Sequence, residues 1–213
     1  MKKAYILASY RTPGCRANKG KLRNIRPDDL AAIAIKGLLE RTDVDPATIE
    51  DVYLGCAFPE GEQGMNVARI AALRAGIPYQ VPAQTINRFC SSGLETIAMA
   101  VAKIQSGMAD CIIAGGTESM SSVPMTGFKP ELNYNIVQAG HEDYYWGMGN
   151  TAEAVANKYN ISRKDQDEFA YHSHIKALKA LENDRFQDQI VPIQVEEIFV
   201  NNQGKKSARN YTF

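Results

Sequence analysis

The stretch VPAQTINRFCSSGLETIAMAVAKIQSGMADCIIAGG, residues 81–116, decides the fold. Its first seven residues, 81–87, form an extended apolar segment, and residues 92–106 have the length and composition of a helix. Residues 109–116 form a second apolar segment, which ends in two glycines. A strand, a helix and a strand in this order predict a crossover between two parallel strands.

The same alternation precedes this stretch. Residues 4–9 and 52–58 have the apolar character of strands, and residues 26–42 and 66–76 have the pattern of helices. Gly76 is predicted to end the second of these helices in a left-handed conformation. Strands that alternate with single helices predict an α/β fold, in which a mostly parallel sheet is covered by helices on both faces.

The alternation of predicted strands and helices ends after residue 118. The following segment, up to Asn150, is rich in Pro, Gly, Asn, Met and aromatic residues and has no sustained period. A segment of this length and composition is typical of a functional loop region. We therefore predict two domains, an α/β domain over residues 1–118 and an inserted loop domain over residues 119–213. Within the second we expect helices at 151–160 and 163–183, an extended segment at 188–196 and a hairpin around Asn202–Gly204.

The overall composition excludes several classes of protein. The 213 residues are 45% hydrophobic and carry 24 basic and 24 acidic side chains, so the chain has no net charge and no basic face for nucleic acid. No apolar run reaches the length of a membrane span or of a signal peptide. The four cysteines form no CxxC pair, which favours free thiols in a reducing compartment and predicts a cytoplasmic protein.

Cys90 is the candidate nucleophile. It precedes Ser91, Ser92 and Gly93, the residues at which the predicted helix begins. The N–H groups at a helix N-terminus stabilise a thiolate, and the same groups are expected to form an oxyanion hole. The following helix is apolar on nearly all sides, which predicts a central position and a Cys90 shielded from bulk water. A structural thiol is the alternative reading of these residues.

The other cysteines give weaker signals. Cys56 and Cys111 lie in apolar strand patterns and are predicted to be structural. Cys15, in a glycine-containing turn, is uninformative.

The histidines predict no metal site. His172 and His174 are two residues apart, so they lie on different faces of a helix and are expected to face solvent. His141 stands beside two acidic residues and reads as part of a solvated turn. The sequence AGGTES lacks the lysine of a phosphate-binding loop, so neither a metal nor a nucleotide is predicted.

Four segments together resemble the thiolases, which exchange acyl groups between 3-ketoacyl-CoA and CoA. They are ILASYRTPG, TINRFCSSGLETIAMA, ADCIIAGGTESMS and MGNTAEAVANKYNISRKDQDEFAYHSH. The resemblance implies an αβαβα fold built from two similar halves. It also implies that Cys90 attacks the 3-keto carbon, releases acetyl-CoA and holds the acyl group as a thioester until a second CoA removes it.

The resemblance carries further implications for ligands. Residues from 119 onward match the start of the family's loop domain, which covers CoA. Gly147, Met148 and Gly149 match a His-Met-Gly tripeptide of that loop, so Met148 is implied to contact CoA, whereas the histidine is not carried over. CoA is implied as a substrate, with no separate cofactor, in fatty acid metabolism. A homodimer or homotetramer is also implied, and the long loop is more similar to the degradative 3-ketoacyl-CoA enzymes.

The match covers only part of the family's pattern. The family's base histidine, second cysteine and Asn-Glu-Ala-Phe motif belong to its second half, and no segment here matches them. We therefore read the chain as the N-terminal half of a thiolase and expect the chain alone to be inactive. The alternatives are a non-catalytic CoA or acyl-binding module with the same fold, a ketosynthase-like condensing enzyme, and a cysteine hydrolase, which needs a histidine partner.

Overall fold

A computed structural model describes residues 2–201 and 203–213. It divides into two compact units: the first runs to Phe128 and resumes with Gln189–Phe213, and the second is Lys129–Asp188. These bounds differ from the predicted domains 1–118 and 119–213. Residues just after 118 belong to the first unit because Val123 is fully buried there, and the final residues belong to it because Ile193 packs against Leu22.

The first unit contains a three-stranded parallel sheet. Its strands are β1 (Asp51–Gly55), β2 (Ala83–Ile86) and β3 (Ile112–Gly116), in the order β2-β1-β3. All five residues of β1 are buried, as expected for a central strand. The strands alternate with α1 (Pro27–Thr42), α2 (Val67–Arg74) and α3 (Ser92–Gln105). The predicted α/β fold with parallel pairing is confirmed.

Local sequence explains where these helices begin and end. Pro27 occupies the first turn of α1, where its missing N–H costs nothing, and Asp28 lies at the positive end of the helix. Asn66 caps α2 by accepting a hydrogen bond from the Arg69 N–H. Gly76 follows α2 with a φ of 90°, which confirms the predicted left-handed cap. The helices and strands enclose one apolar cluster, to which Ile35, Ile49, Val52, Leu54, Ala68, Ala72, Ile77 and Ile113 contribute.

The predicted strand at residues 4–9 is wrong. In the described part of the chain these residues belong to no strand, and Leu7 is 84% exposed. The sheet pairs β1 with β2 and with β3, and in the described residues the segment 4–9 adds no strand to either outer edge. The apolar run alone gave no information on whether a partner strand is available.

The predicted burial of α3 on all sides is also wrong. The helix packs on β1 and β3, and its buried residues are Ser92, Thr96 and Ala100. Leu94, on the other side of the helix, is 70% exposed. In the described residues α3 therefore has one buried face and one apolar face open to solvent.

The second unit consists of helices. They are α4 (Tyr134–Gln138), α5 (Met148–Tyr159) and α6 (Arg163–Glu182). The Ser162 hydroxyl accepts from the Asp165 N–H, and the Asp165 carboxylate accepts from the Ser162 N–H. This reciprocal pair confirms the capping box predicted for α6. Within the described residues, no helix combines the length and the apolar character that a membrane crossing requires.

The last part of the first unit is an antiparallel hairpin of β4 (Gln194–Val200) and β5 (Lys206–Thr212). The predicted hairpin is confirmed in its strands, although Asn202 of the predicted turn lies outside the described residues. Glu197 of β4 accepts hydrogen bonds from Arg209 of β5 and from Arg23. These hydrogen bonds, led by that of Arg209, lower the pKa of the Glu197 carboxyl and tie the hairpin to residues near the start of the chain.

Candidate functional site

The candidate site lies at the carboxyl edge of the parallel sheet. The loop after β1 begins with Cys56, the loop after β2 contains Cys90, and Glu118 follows β3. Because carboxyl ends of parallel strands share one edge, these three loops meet there, as they do at ligand sites in open α/β sheets. Cys90 precedes the N-cap of α3, Ser91, by one residue. The structure therefore confirms that Cys90 stands at a helix N-terminus.

Side chains of the loop itself fix the backbone around Cys90. Phe89 has a left-handed backbone with φ of 48°, which is uncommon for a residue with a side chain. Asn87 Oδ1 accepts the Phe89 N–H at 2.9 Å. Ser92 Oγ accepts the Arg88 N–H at 2.9 Å and donates to the Phe89 carbonyl at 2.6 Å. The loop is thus held at the residue immediately before the thiol.

The predicted oxyanion hole is only partly compatible with these bonds. The N–H of Ser91 donates to the Arg88 carbonyl at 3.2 Å, and the N–H of Ser92 donates to the Phe89 carbonyl at 3.1 Å. Both groups already have partners inside the chain, so a substrate oxygen would have to bind other N–H groups at this helix end, and the oxyanion hole stays a prediction. The helix dipole still places positive potential beside Cys90.

Cys90 is exposed, which corrects the prediction that it is shielded from water. Within the described part of the chain, no hydrogen bond to its Sγ is present. A groove of about 200 Å³ lies elsewhere, between α1 and β3, with Tyr10, Leu38 and Gly116 among its lining residues. Cys90 does not line this groove.

Gly55 allows α3 to lie close to the sheet. The sequence analysis did not predict this role. A Cβ at Gly55 would lie 2.6 Å from the carbonyl carbon of Ser92 and 2.9 Å from the Gly93 nitrogen. Only glycine leaves room for the helix backbone at this distance. The available signal was a glycine at the end of the apolar strand sequence VYLG. Gly116 was expected to allow close packing, and its Cβ would lie 3.1 Å from the Gly55 carbonyl oxygen.

A polar network supports the loops after β1 and β3. The Glu118 carboxylate accepts from the Ala57 N–H and from Gln63 Nε2, both at 2.6 Å. Gln63 is fully buried, and its Oε1 accepts the Ser119 N–H at 2.5 Å. The sequence did not predict this network. Glu118 lies in the segment ADCIIAGGTESMS, which gave it no role, and nothing in the sequence around Gln63 signals burial.

Cys56 and Cys111 have the environments of structural thiols. Burial, together with the nearby Glu118 carboxylate, raises the pKa of the Cys56 thiol to about 11. Burial also raises the pKa of the Cys111 thiol, with a smaller contribution from Glu50. Since the thiolate is the nucleophile, the raised pKa lowers the reactivity of both thiols at neutral pH.

All three histidines lie in the second unit. His172 and His174 are exposed on α6, as predicted, and His141 is exposed and stacks on Tyr144 with ring centroids 4.9 Å apart. The described residues contain no group of three or more His, Cys, Asp or Glu side chains that could hold a metal ion. The structure thus gives Cys90 no histidine partner within its own compact unit.

Met148 is the first residue of α5, after Gly147 at the N-cap. The helix begins three residues earlier than the predicted 151, so Met148 is held by helical backbone rather than by a loop. Its side chain is 69% exposed and open to a ligand. Met148 and Cys90 belong to different compact units.

Comparison with known proteins identifies relatives for nearly the whole chain. Residues 4–208 match the family described as thiolase, N-terminal domain. The 3-ketoacyl-CoA thiolase of Bacillus subtilis is 48% identical over 100% of this chain and 54% of its own length. The beta-ketoadipyl-CoA thiolase of Acinetobacter baylyi is 42% identical over 92% of this chain and 53% of its own length.

A solved structure gives the same result for the fold. The crystal structure of the Bacillus anthracis acetyl-CoA acetyltransferase superposes with a TM-score of 0.77 and 36% identity. The match covers 96% of this chain and 53% of that one. The chain spans about half the length of the curated relatives it matches.

Proposed function

The chain belongs to the thiolase family, and on that premise we propose that it supplies the nucleophile for acyl transfer between 3-ketoacyl-CoA and CoA. The observation that carries this proposal is the position of Cys90, exposed at the N-terminus of α3 in a loop fixed by Asn87 and Ser92. The motif NRFCSSG contains this same cysteine. The local geometry and the family relation thus both support Cys90 Sγ as the nucleophile.

The proposed reaction has two acyl-transfer steps. Cys90 Sγ attacks the 3-keto carbon of 3-ketoacyl-CoA, the bond between C2 and C3 breaks, and C2 leaves with its electron pair to be protonated as acetyl-CoA. The thiol of a second CoA then attacks the acyl thioester, and the Cys90 sulfur leaves. In this scheme CoA is a substrate and no resident cofactor is involved. This chain's part is to hold the thiol at the positive end of α3.

We propose that Met148 contacts the bound CoA. Its exposure at the start of α5 supports this assignment, as does its place in the tripeptide Gly147-Met148-Gly149. A side chain that binds substrate and transition state alike changes KM and leaves kcat nearly unchanged. In the full-length protein, Met148→Ala is therefore expected to raise the KM for CoA about threefold, measured by steady-state thiolysis.

The decisive test of the function is thiolysis of acetoacetyl-CoA by the full-length protein and its Cys90→Ser variant. Loss of the thiol removes the acyl carrier, so the rate should fall by about a thousandfold or more. Cys15→Ser is the matched control, since Cys15 is also exposed and free, and it should retain full activity. Normal turnover by Cys90→Ser would exclude the proposed mechanism.

We also propose a cytoplasmic location, which the free cysteines support, and assembly as a homodimer or homotetramer, which the family relation supports. Sedimentation of the full-length protein would test the assembly.

A further inference from the structure

We infer that Asn87 is a positioning residue that sets the direction of the Cys90 thiol by holding Phe89 in its left-handed conformation. The inference rests on the proposed function of Cys90. Asn87 is not in contact with the reacting atom. Its effect passes through one hydrogen bond, to the Phe89 N–H, and then through the Phe89 backbone, while a second hydrogen bond anchors the amide on Ala57.

The amide of Asn87 connects two loops at the carboxyl edge of the sheet. Its Nδ2 donates to the Ala57 carbonyl at 2.9 Å, and its Oδ1 accepts the Phe89 N–H at 2.9 Å. One side chain therefore joins the loop after β1 to the loop that carries Cys90. Both ends of the amide are used, and neither a carboxylate nor an aliphatic side chain of this size can make both bonds.

The backbone of Ala57 is a fixed support for this connection. Its N–H donates to Glu118 at 2.6 Å while its carbonyl accepts from Asn87. Glu118 is in turn held by the fully buried Gln63 at 2.6 Å. Hydrogen bonds thus connect a buried side chain, through the backbone of Ala57, to the nucleophile loop.

The left-handed conformation of Phe89 is the element that Asn87 stabilises. A residue with a Cβ disfavours a φ of 48°, so the loop needs compensating bonds to keep it. Cys90 follows directly, so rotation of the Phe89 backbone would swing the thiol away from the end of α3. Glycine has no such preference against positive φ. The conformation, and not the phenyl ring, is what Asn87 maintains.

The test measures the alkylation of individual cysteines by iodoacetamide in this 213-residue chain. The rate at Cys90 is divided by the rate at Cys15, an exposed thiol of the same molecule, with both read by peptide mass spectrometry. Asn87→Ala should lower this ratio about tenfold at neutral pH, because the Cys90 sulfur then leaves its position at the end of α3. Alkylation of the buried Cys56 in the same digest reports any unfolding.

Two further variants separate positioning from general loosening of the loop. Asn87→Ala combined with Phe89→Gly should restore the ratio to within about twofold of the parent, since glycine adopts the positive φ without support. Phe89→Gly alone should resemble the parent. Asn87→Ser keeps an acceptor for the N–H two residues on and should lose no more than about threefold.

Either of two results would overturn the inference. One is an unchanged ratio in Asn87→Ala, and the other is a double variant as slow as Asn87→Ala. If Asn87→Ala exposes Cys56, Asn87→Ser replaces it, and a loss of more than about threefold in the ratio for that variant would count against the inference. Alkylation needs neither CoA nor acyl transfer, so these failures leave the proposed function standing. Normal thiolysis by Cys90→Ser would instead remove the function and leave the loop geometry intact.

Discussion

Cys56 and Cys90 follow neighbouring parallel strands of one sheet, yet their surroundings differ in almost every respect. Cys56 comes directly after β1, is 1% exposed and has a carboxylate nearby. Cys90 comes after β2, is exposed and stands at a helix N-terminus. Burial keeps the Cys56 thiol protonated, whereas Cys90 is open to solvent beside the positive end of a helix. A position at the carboxyl edge of the sheet is thus not enough to make a cysteine reactive. The loop that follows the strand determines whether the thiol is buried or exposed.

The largest expected effect is on thiol reactivity. At pH 8 the Cys56 thiol, with a pKa of about 11, is ionised to only about one part in a thousand. Iodoacetamide should therefore modify Cys90 at least a hundredfold faster than Cys56 in the native chain, measured by peptide mass spectrometry. In concentrated urea the two rates should converge. Equal rates in the native chain would show that the two environments do not differ as described.

The next effect tests the contact between β1 and α3. Gly55→Ala places a Cβ 2.6 Å from the Ser92 backbone, and neither backbone can yield without moving the helix. The substitution should lower the free energy of unfolding by about 3 kcal/mol, or the midpoint of thermal unfolding by about 6 to 12 °C. Gly14→Ala, where the new Cβ meets nothing within 4 Å, is the control. Equal stability of the two variants would mean that Gly55 does not set the position of α3.

A smaller effect is expected for the hydroxyl that joins α3 to β3. Thr96 is fully buried, and its Oγ lies 2.7 Å from the Gly93 carbonyl oxygen and 3.0 Å from that of Gly115. Thr96→Val keeps the shape and removes the donor, so urea unfolding should show a loss of about 1 to 2 kcal/mol. Thr151→Val, on the exposed side of α5, should change stability by less than about 0.5 kcal/mol. If Thr96→Val left the free energy of unfolding unchanged, the Thr96 hydroxyl would make no contribution to stability.

The smallest effect is the pH dependence due to Cys56. Burial raises its folded-state pKa from 9.0 to about 11, so between these values the unfolded chain loses a proton that the native chain keeps. Stability must then fall as pH rises. The loss attributable to Cys56 is about 1 kcal/mol between pH 8 and 10.

Cys56→Ala is the comparison that isolates this dependence. Urea unfolding at both pH values should show a shallower decline for the variant than for the parent. Parallel declines would indicate that the Cys56 thiol titrates alike in the folded and unfolded states.

Local signals in the sequence predicted local structure well. The capping box of Ser162 and Asp165, the left-handed cap at Gly76 and the entry of α3 after Cys90 each depend on a few neighbouring residues. Such features are encoded within one or two turns of chain. The helices and the parallel strands at 81–116 therefore followed from periodicity and turn residues.

Features that depend on distant residues were not predictable in this way. An apolar run at 4–9 has the composition of a strand, but a strand also needs a neighbour, and in the described residues this run pairs with neither outer edge of the sheet. The exposure of Leu94 and Cys90 depends on what packs against α3. The link from Gln63 through Glu118 to Ala57 joins residues up to 61 positions apart, and periodicity carries no information on such pairs.

The most direct test of the central claim is a brief exposure of the full-length protein to acetyl-CoA, followed by mass spectrometry that maps the acetyl group to a residue. We expect one acetyl group, on Cys90, and none on Cys56 or Cys15. Addition of free CoA should remove the label, because the thioester is an intermediate. An acetyl group on another cysteine, or a Cys90 adduct that CoA does not remove, would contradict the assignment of Cys90 as the acyl carrier.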